Sequence, residues 1–301
     1  MGEPSTRRGW GSTLLKPFVL TRLMLFSARH LPDRTPSDVG LAYSDVEFVA
    51  ADGVRLRGWF LPAGSDAGPA VVVVHGWLWN RLGNVAGCVP FTDRDVDFLP
   101  AARTLHDAGI HVLLMDLSNH GESDSRYPVT FGLREWQDVV AAVDFLRARA
   151  DVDPDRVGVL GCSMGGNAAI YGAAECGTVK AILAVQPAVV SHFNSHFARD
   201  ELGPAGPMMV RSMDLLYRVL RVPPPSRENP AVPASRLGDT VVRYVQGTGD
   251  PWGTMDDVRA MAAATPHALP VVEYPSTGRY EGYRYVTEQP DEVAAFFAEY
   301  L

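Results

Sequence analysis

Short uninterrupted apolar runs at residues 70–74, 111–115, 156–160, 181–185, 241–246 and 271–274 alternate with segments of helical period. Strands that read this way are apolar on both faces, so they demand a mostly parallel sheet with helices packed against each side. The helical patterns fall at 97–107, 133–149, 163–175, 255–264 and 291–300. Ahead of them, 46–50 and 54–61 are β-rich runs joined through Ala51-Asp52-Gly53. An Asp-Gly between such runs specifies a hairpin, because its turn needs positive φ. The expected fold class is α/β, with about eight strands and helices on both faces.

One interval breaks this alternation. About fifty residues, 188–236, separate two strands where a βα connection takes far fewer, so the segment must fold into something of its own. A helix is expected over 212–220, followed by an extended return enforced by Pro223, Pro224, Pro225, Pro230 and Pro233. This divides the chain into an N-terminal helical segment (1–40), a core (41–187 and 237–301) and an inserted cap (188–236). In the first segment Thr6, Arg7 and Arg8 precede an apolar stretch at 14–26 and imitate a twin-arginine leader. The stretch is about 13 residues, too short to span a bilayer, and Lys16, Pro17 and Arg22 interrupt it. It is expected to be an amphipathic helix packed on the body, without stable membrane insertion. Weak association with a membrane surface is the alternative reading.

Charge narrows the partners. With 27 Lys and Arg against 35 Asp and Glu, the net charge of −8 repels phosphate backbones, so nucleic acid is not expected as a partner. Three cysteines, none in a C-x-x-C spacing, supply no disulfide framework and fit a reducing cytoplasm. No metal or nucleotide signature stands out, so no cofactor is expected, and no oligomeric state is implied.

Chemistry concentrates in Gly161-Cys162-Ser163-Met164-Gly165-Gly166, a G-x-S-x-G that ends one strand and opens the next helix. A turn this sharp strains the serine and exposes its hydroxyl above the sheet, while flanking glycines let neighbouring backbone pass close by. From about residue 46 onward the chain resembles the α/β-hydrolase family. Val71-Val72-Val73-Val74-His75-Gly76-Trp77 looks like its strand and oxyanion loop, and Asp116-Leu117-Ser118-Asn119-His120-Gly121-Glu122-Ser123 like its D-x-x-x-H-G-x-S turn. The resemblance implies an α/β-hydrolase fold, with Ser163 at the nucleophile elbow and the backbone N–H groups of Trp77 and Met164 as the oxyanion hole. It also implies that His75 and His120 are structural. Asp250, in Gly247-Thr248-Gly249-Asp250-Pro251-Trp252 after a strand, matches the family's acid.

The third member departs from the family. Where a histidine should follow the last strand, the loop reads Pro275-Ser276-Thr277-Gly278-Arg279-Tyr280, with Arg279 at the matching position. A guanidinium has no acceptor and cannot take a proton from Ser163. His267 precedes the final strand, roughly 15 Å from the site. His192 and His196 could hang over Ser163 from the cap as an alternative base.

Three readings follow, each with a small molecule as partner. In the first, an enzyme uses Ser163, Asp250, Arg279 and the oxyanion hole on a small acyl-bearing molecule without ordinary triad hydrolysis, eliminating the acyl group as its acid in natural-product biosynthesis. Arg279 then binds a carboxylate bidentately or stabilises a departing one. The second is a conventional serine esterase with His192 or His196 as base and Asp250 paired to Arg279. The third is a non-catalytic binding protein.

Overall fold

In the computed structural model residues 15–64 and 67–301 are described; the Thr6-Arg7-Arg8 motif and Leu14 lie outside them. The strands are β1 (Ser44–Val49), β2 (Arg55–Leu61), β3 (Gly68–Val74), β4 (Gly83–Asn84), β5 (Val96–Asp97), β6 (His111–Asp116), β7 (Val152–Cys162), β8 (Ala181–Val185), β9 (Val241–Gly247), β10 (His267–Ala268) and β11 (Val272–Tyr274). The main sheet runs β1-β2-β6-β3-β7-β8-β9, and β10 and β11 share the position beyond β9. That makes eight positions across. Only β1 and β2 run antiparallel to their neighbours. Their hairpin closes at Ala50–Val54 as expected, with Gly53 at φ +88°.

At the sheet edge β10 and β11 are partly exposed, whereas the central parallel strands are buried because helices cover both faces. These are α1 (Lys16–Phe26), α2 (Leu99–Asp107), α3 (Trp136–Arg147), α4 (Met164–Cys176), α5 (Val190–Leu202), α6 (Gly206–Val219), α7 (Ala231–Ala234), α8 (Met255–Ala264), α9 (Arg279–Tyr283), α10 (Tyr285–Glu288) and α11 (Pro290–Tyr300). Two glycines of β7 show the layering. A Cβ at Gly158 would meet the Phe297 ring of α11 at 2.7 Å, and one at Gly161, which faces the other way, would meet Gly165 and Gly166 of α4. Close packing on both sides of one strand therefore needs glycine at both positions.

Between β8 and β9 the chain forms α5, α6 and α7. The structure corrects the expected course here. The helix expected at 212–220 begins at Gly206, and α5 precedes it. The prolines do not give a purely extended return: Pro224 is extended, but Pro225–Arg227 is a 3₁₀ turn and α7 follows Pro230. α1 also departs from the amphipathic expectation. It buries Pro17, Leu20, Thr21, Met24 and Leu25, yet Leu15, Phe18 and Val19 on the opposite side are apolar and exposed. Among the described residues no helix is long and apolar enough to cross a membrane.

Candidate active site

Parallel sheets gather function at the carboxyl ends of their strands, and here β3, β7, β8, β9 and β11 all end on one cavity. Ser163 caps β7 at φ +53°, ψ −116°, a conformation few residues adopt, and α4 starts at the next residue. The elbow closes because Gly165 has no side chain: a Cβ there would lie 2.6 Å from the His75 carbonyl oxygen. Gly76 adjoins the serine at ordinary contact distance, its Cβ position 3.4 Å from Ser163 Cβ. The backbone N–H groups of Trp77 and Met164 therefore flank the serine, and among the described residues neither has an acceptor.

His75 and His120 hold the neighbouring loops. The His75 Nδ1–H donates to the Gly76 carbonyl (2.7 Å), and Nε2 accepts from Leu117 N–H (3.0 Å). His120 spans Ser118 O (2.9 Å) and Ser27 Oγ (3.1 Å). Burial lowers the pKa of both, that of His120 well below the ordinary histidine value.

The Asp250 side chain is fully buried. Its Oδ1 accepts from the backbone N–H groups of Trp252 (2.9 Å) and Gly253 (3.1 Å), and its Oδ2 from Gln246 Nε2 (3.1 Å) and from Arg279 Nη1. The other terminal nitrogen of Arg279 donates to Ser163 Oγ (3.2 Å) and to the Gln186 carbonyl (3.1 Å). The guanidinium lies 5.0 Å from the Phe193 ring centre and 5.1 Å from that of Tyr283. Burial by itself would lower the Arg279 pKa, but Asp250 outweighs it and holds the cation charged. Arg279 thus bridges Asp250 and Ser163 and offers only donors. This corrects the bidentate role expected for it, since its terminal nitrogens are engaged by Asp250, Ser163 and Gln186. Gln186 locks the arrangement, donating to the Arg279 carbonyl (2.8 Å) and accepting from Gly247 N–H (3.2 Å).

The structure brings neither cap histidine to the serine. His192 Nδ1 pairs with Asp257 (2.8 Å) on the exposed side of α5, and His196 Nδ1 with the Trp252 carbonyl (3.2 Å). One residue further round the helix, Phe193 and Phe197 stack at 5.8 Å and face inward instead. His267 pairs with Val241 at the amino end of β9, opposite the site. Among the described residues no imidazole or carboxylate is within hydrogen-bond reach of Ser163 Oγ.

The cavity over Ser163 measures about 30 Å³, room for about two waters. Trp77, Phe91, Phe131, Phe193, Trp252 and Tyr283 form most of its wall. Sequence reasoning missed Phe91, in the loop between β4 and β5, and Tyr283, one turn after Arg279 on α9. The Tyr283 hydroxyl is buried beside Ser163 without a well-formed hydrogen bond among the described residues, and burial raises its pKa above the ordinary phenol value. Its spacing of four from Arg279 on a short helix was the available signal.

Comparison with known proteins agrees with this fold. A model of the alpha/beta hydrolase family matches residues 71–296. Thiohydrolase aneE of Aspergillus aculeatus is 34% identical over 160 residues, 52% of this chain and 46% of that protein. Polyketide transferase ATR5 of Stachybotrys chlorohalonatus is 30% identical over 184 residues, 60% of this chain and 54% of that one. The chain thus spans about half the length of these curated relatives. Among solved structures, the Pyrococcus furiosus esterase Pf2001 superposes with a TM-score of 0.66 at 25% identity, covering 91% of this chain and 97% of that one.

Proposed function

This chain belongs to the alpha/beta hydrolase family, and from that premise we propose that it is an enzyme that eliminates an acyl group, as the carboxylic acid, from a small apolar organic molecule. One observation carries the reading: Arg279 occupies the base position, paired with Asp250 and donating to Ser163 Oγ. Hydrolysis through an acyl-enzyme needs an acceptor for the serine proton, and a guanidinium supplies none. Elimination needs no protein base. The alkyl–oxygen bond breaks, both oxygens leave with the acyl group, and the proton on the adjacent carbon ends on the departing carboxylate, giving alkene and acid. The Trp77 and Met164 N–H groups suit the charge that develops on that carboxylate. Ser163 and the neighbouring Tyr283 hydroxyl add neutral donors, and the aromatic walls exclude water. α5 to α7 serve as the cap, and the aromatic lining must part to admit a substrate. Relatives named thiohydrolase and polyketide transferase support an acyl substrate and a place in natural-product biosynthesis.

The competing reading is a receptor, favoured by the ion pair that already engages Asp250 and Arg279 with each other. Oxygen labelling separates the outcomes. A panel of β-acyloxy ketones is incubated in H₂¹⁸O. Elimination releases acid without label together with an equimolar alkene, whereas ester hydrolysis puts label in the acid, and a receptor turns over nothing. In the same assay Arg279→His is expected to raise ester hydrolysis at least tenfold, within the roughly 10²–10⁴ that acid–base catalysis contributes. Labelling of native Ser163 by a fluorophosphonate, with labelled acid released, would overturn the proposal.

A further inference from the structure

The outer surface of α1 and α6 carries a feature the active site does not use. The two helices pack against each other. Lys16 Nζ at the start of α1 donates to Glu201 near the end of α5 (3.0 Å), and Val129 links the far end of α1 to α6, accepting from Tyr217 OH (2.6 Å) and donating to the Leu25 carbonyl (2.8 Å). Their inward faces are buried. Their outward faces expose large apolar side chains: Leu15 (61%), Phe18 (56%) and Val19 on α1, and Met208, Leu215 (60%) and Val219 (67%) on α6. Scattered exposed apolar residues are ordinary, but a group this dense on adjoining helices marks an interaction surface.

Charge identifies what it meets. Arg22, Arg211, Arg218 and Arg221 are exposed on the same two helices and the turn that follows them. Among the described residues none of them has an ion-pair partner. α1 holds no acid, and the one acid of α6, Asp214, accepts from Ser226 Oγ (2.8 Å). Beside α6, a groove of about 520 Å³ runs along α5 between Arg199 and Arg211. An acidic chain of net charge −8 thus gathers arginines without ion-pair partners among the described residues around this apolar outer surface. Apolar side chains ringed by arginine suit an anionic bilayer: the apolar groups enter the interface and the guanidinium groups meet lipid phosphates.

We infer that the outward face of α1 and α6 docks on anionic phospholipid membrane, holding the protein at the bilayer surface without crossing it. The test is co-sedimentation of the full chain with vesicles of phosphatidylcholine and phosphatidylserine (7:3), against phosphatidylcholine alone. Binding is expected to the anionic vesicles only and to fall as salt rises from 50 to 300 mM. Arg211→Glu with Arg218→Glu should weaken it by at least about thirty-fold, since each arginine near such a surface contributes roughly fivefold. Phe18→Ser with Leu215→Ser, on exposed positions, should abolish it with the circular dichroism melting curve unchanged. Failure to sediment with anionic vesicles overturns the inference. So does binding that survives both variants and is lost only on deleting residues 1–14, or a dimer in solution that Phe18→Ser with Leu215→Ser converts to monomer.

Discussion

Arg279 and Asp250 form a buried ion pair whose value lies in each partner's dependence on the other. Their side chains are 3% and 0% exposed. Buried pairs give little net stability, but removing one partner strands a charge. Arg279→Met therefore should cost about 3 kcal/mol, the low end of the usual range because Asp250 keeps Gln246 and two backbone N–H donors. Adding Asp250→Asn should restore most of that loss. Urea denaturation of the two single variants and the double variant measures the coupling, and additive losses would show that the pair is not energetically linked.

α5 shows how one helix decides what a site contains. Its sequence offers His192, Phe193, His196 and Phe197 within six residues, and a rotation of about 100° per residue would bring either pair inward. Burial settles the choice. The phenyl rings fill the space between Trp77, Phe91 and Trp252, and the imidazoles remain outside with Asp257 and the Trp252 carbonyl. Desolvating an imidazole against this aromatic wall would cost a hydrogen bond, whereas a phenyl group loses nothing. Phe197 is fully buried, so Phe197→Ala should destabilise by about 3–5 kcal/mol in thermal or urea melts. Phe193→Ala, at the cavity wall, should instead widen the range of ligands bound, read by thermal shift with aromatic carboxylates and their esters. A Phe197→Ala loss below 1 kcal/mol would mean α5 is not anchored through this face.

Across the whole molecule, pH dependence follows from buried groups. His75 and His120 are neutral and their rings meet edge-on at 5.1 Å. Because burial puts their folded pKa values below that of the unfolded chain, stability is fully present above about pH 6.5 and is lost as pH falls, by up to about 1.4 kcal/mol per unit for each. Asp138 acts in the opposite sense. Burial raises it to about 6, so the native state holds its proton first, and this group favours folding as pH drops from about 6 towards the unfolded value. Burial shifts His30 in the same sense as these two histidines and Asp93 in the same sense as Asp138, so three histidines against two aspartates leave a net loss. The melting temperature should fall between pH 7 and 5, less steeply in His120→Gln and more steeply in Asp138→Asn. A melting temperature that rises on acidification would contradict this balance.

The sequence by itself determined the fold class, the hairpin, the elbow at Ser163 and the departure at Arg279. Each depends on local signals: apolar periodicity, glycines in a sharp turn, and a residue type that cannot accept a proton. It could not show that Arg279 reaches past Asp250 to the serine, or that Gln186 and Tyr283 join it. Those contacts span 93 and 116 residues of chain for the bonds of Arg279 to Gln186 and Ser163. Nor could it show which face of α5 turns inward or that the outer side of α1 stays apolar. Only tertiary packing decides these, because helical period says which residues share a face, while burial against a particular neighbour says which face is hidden.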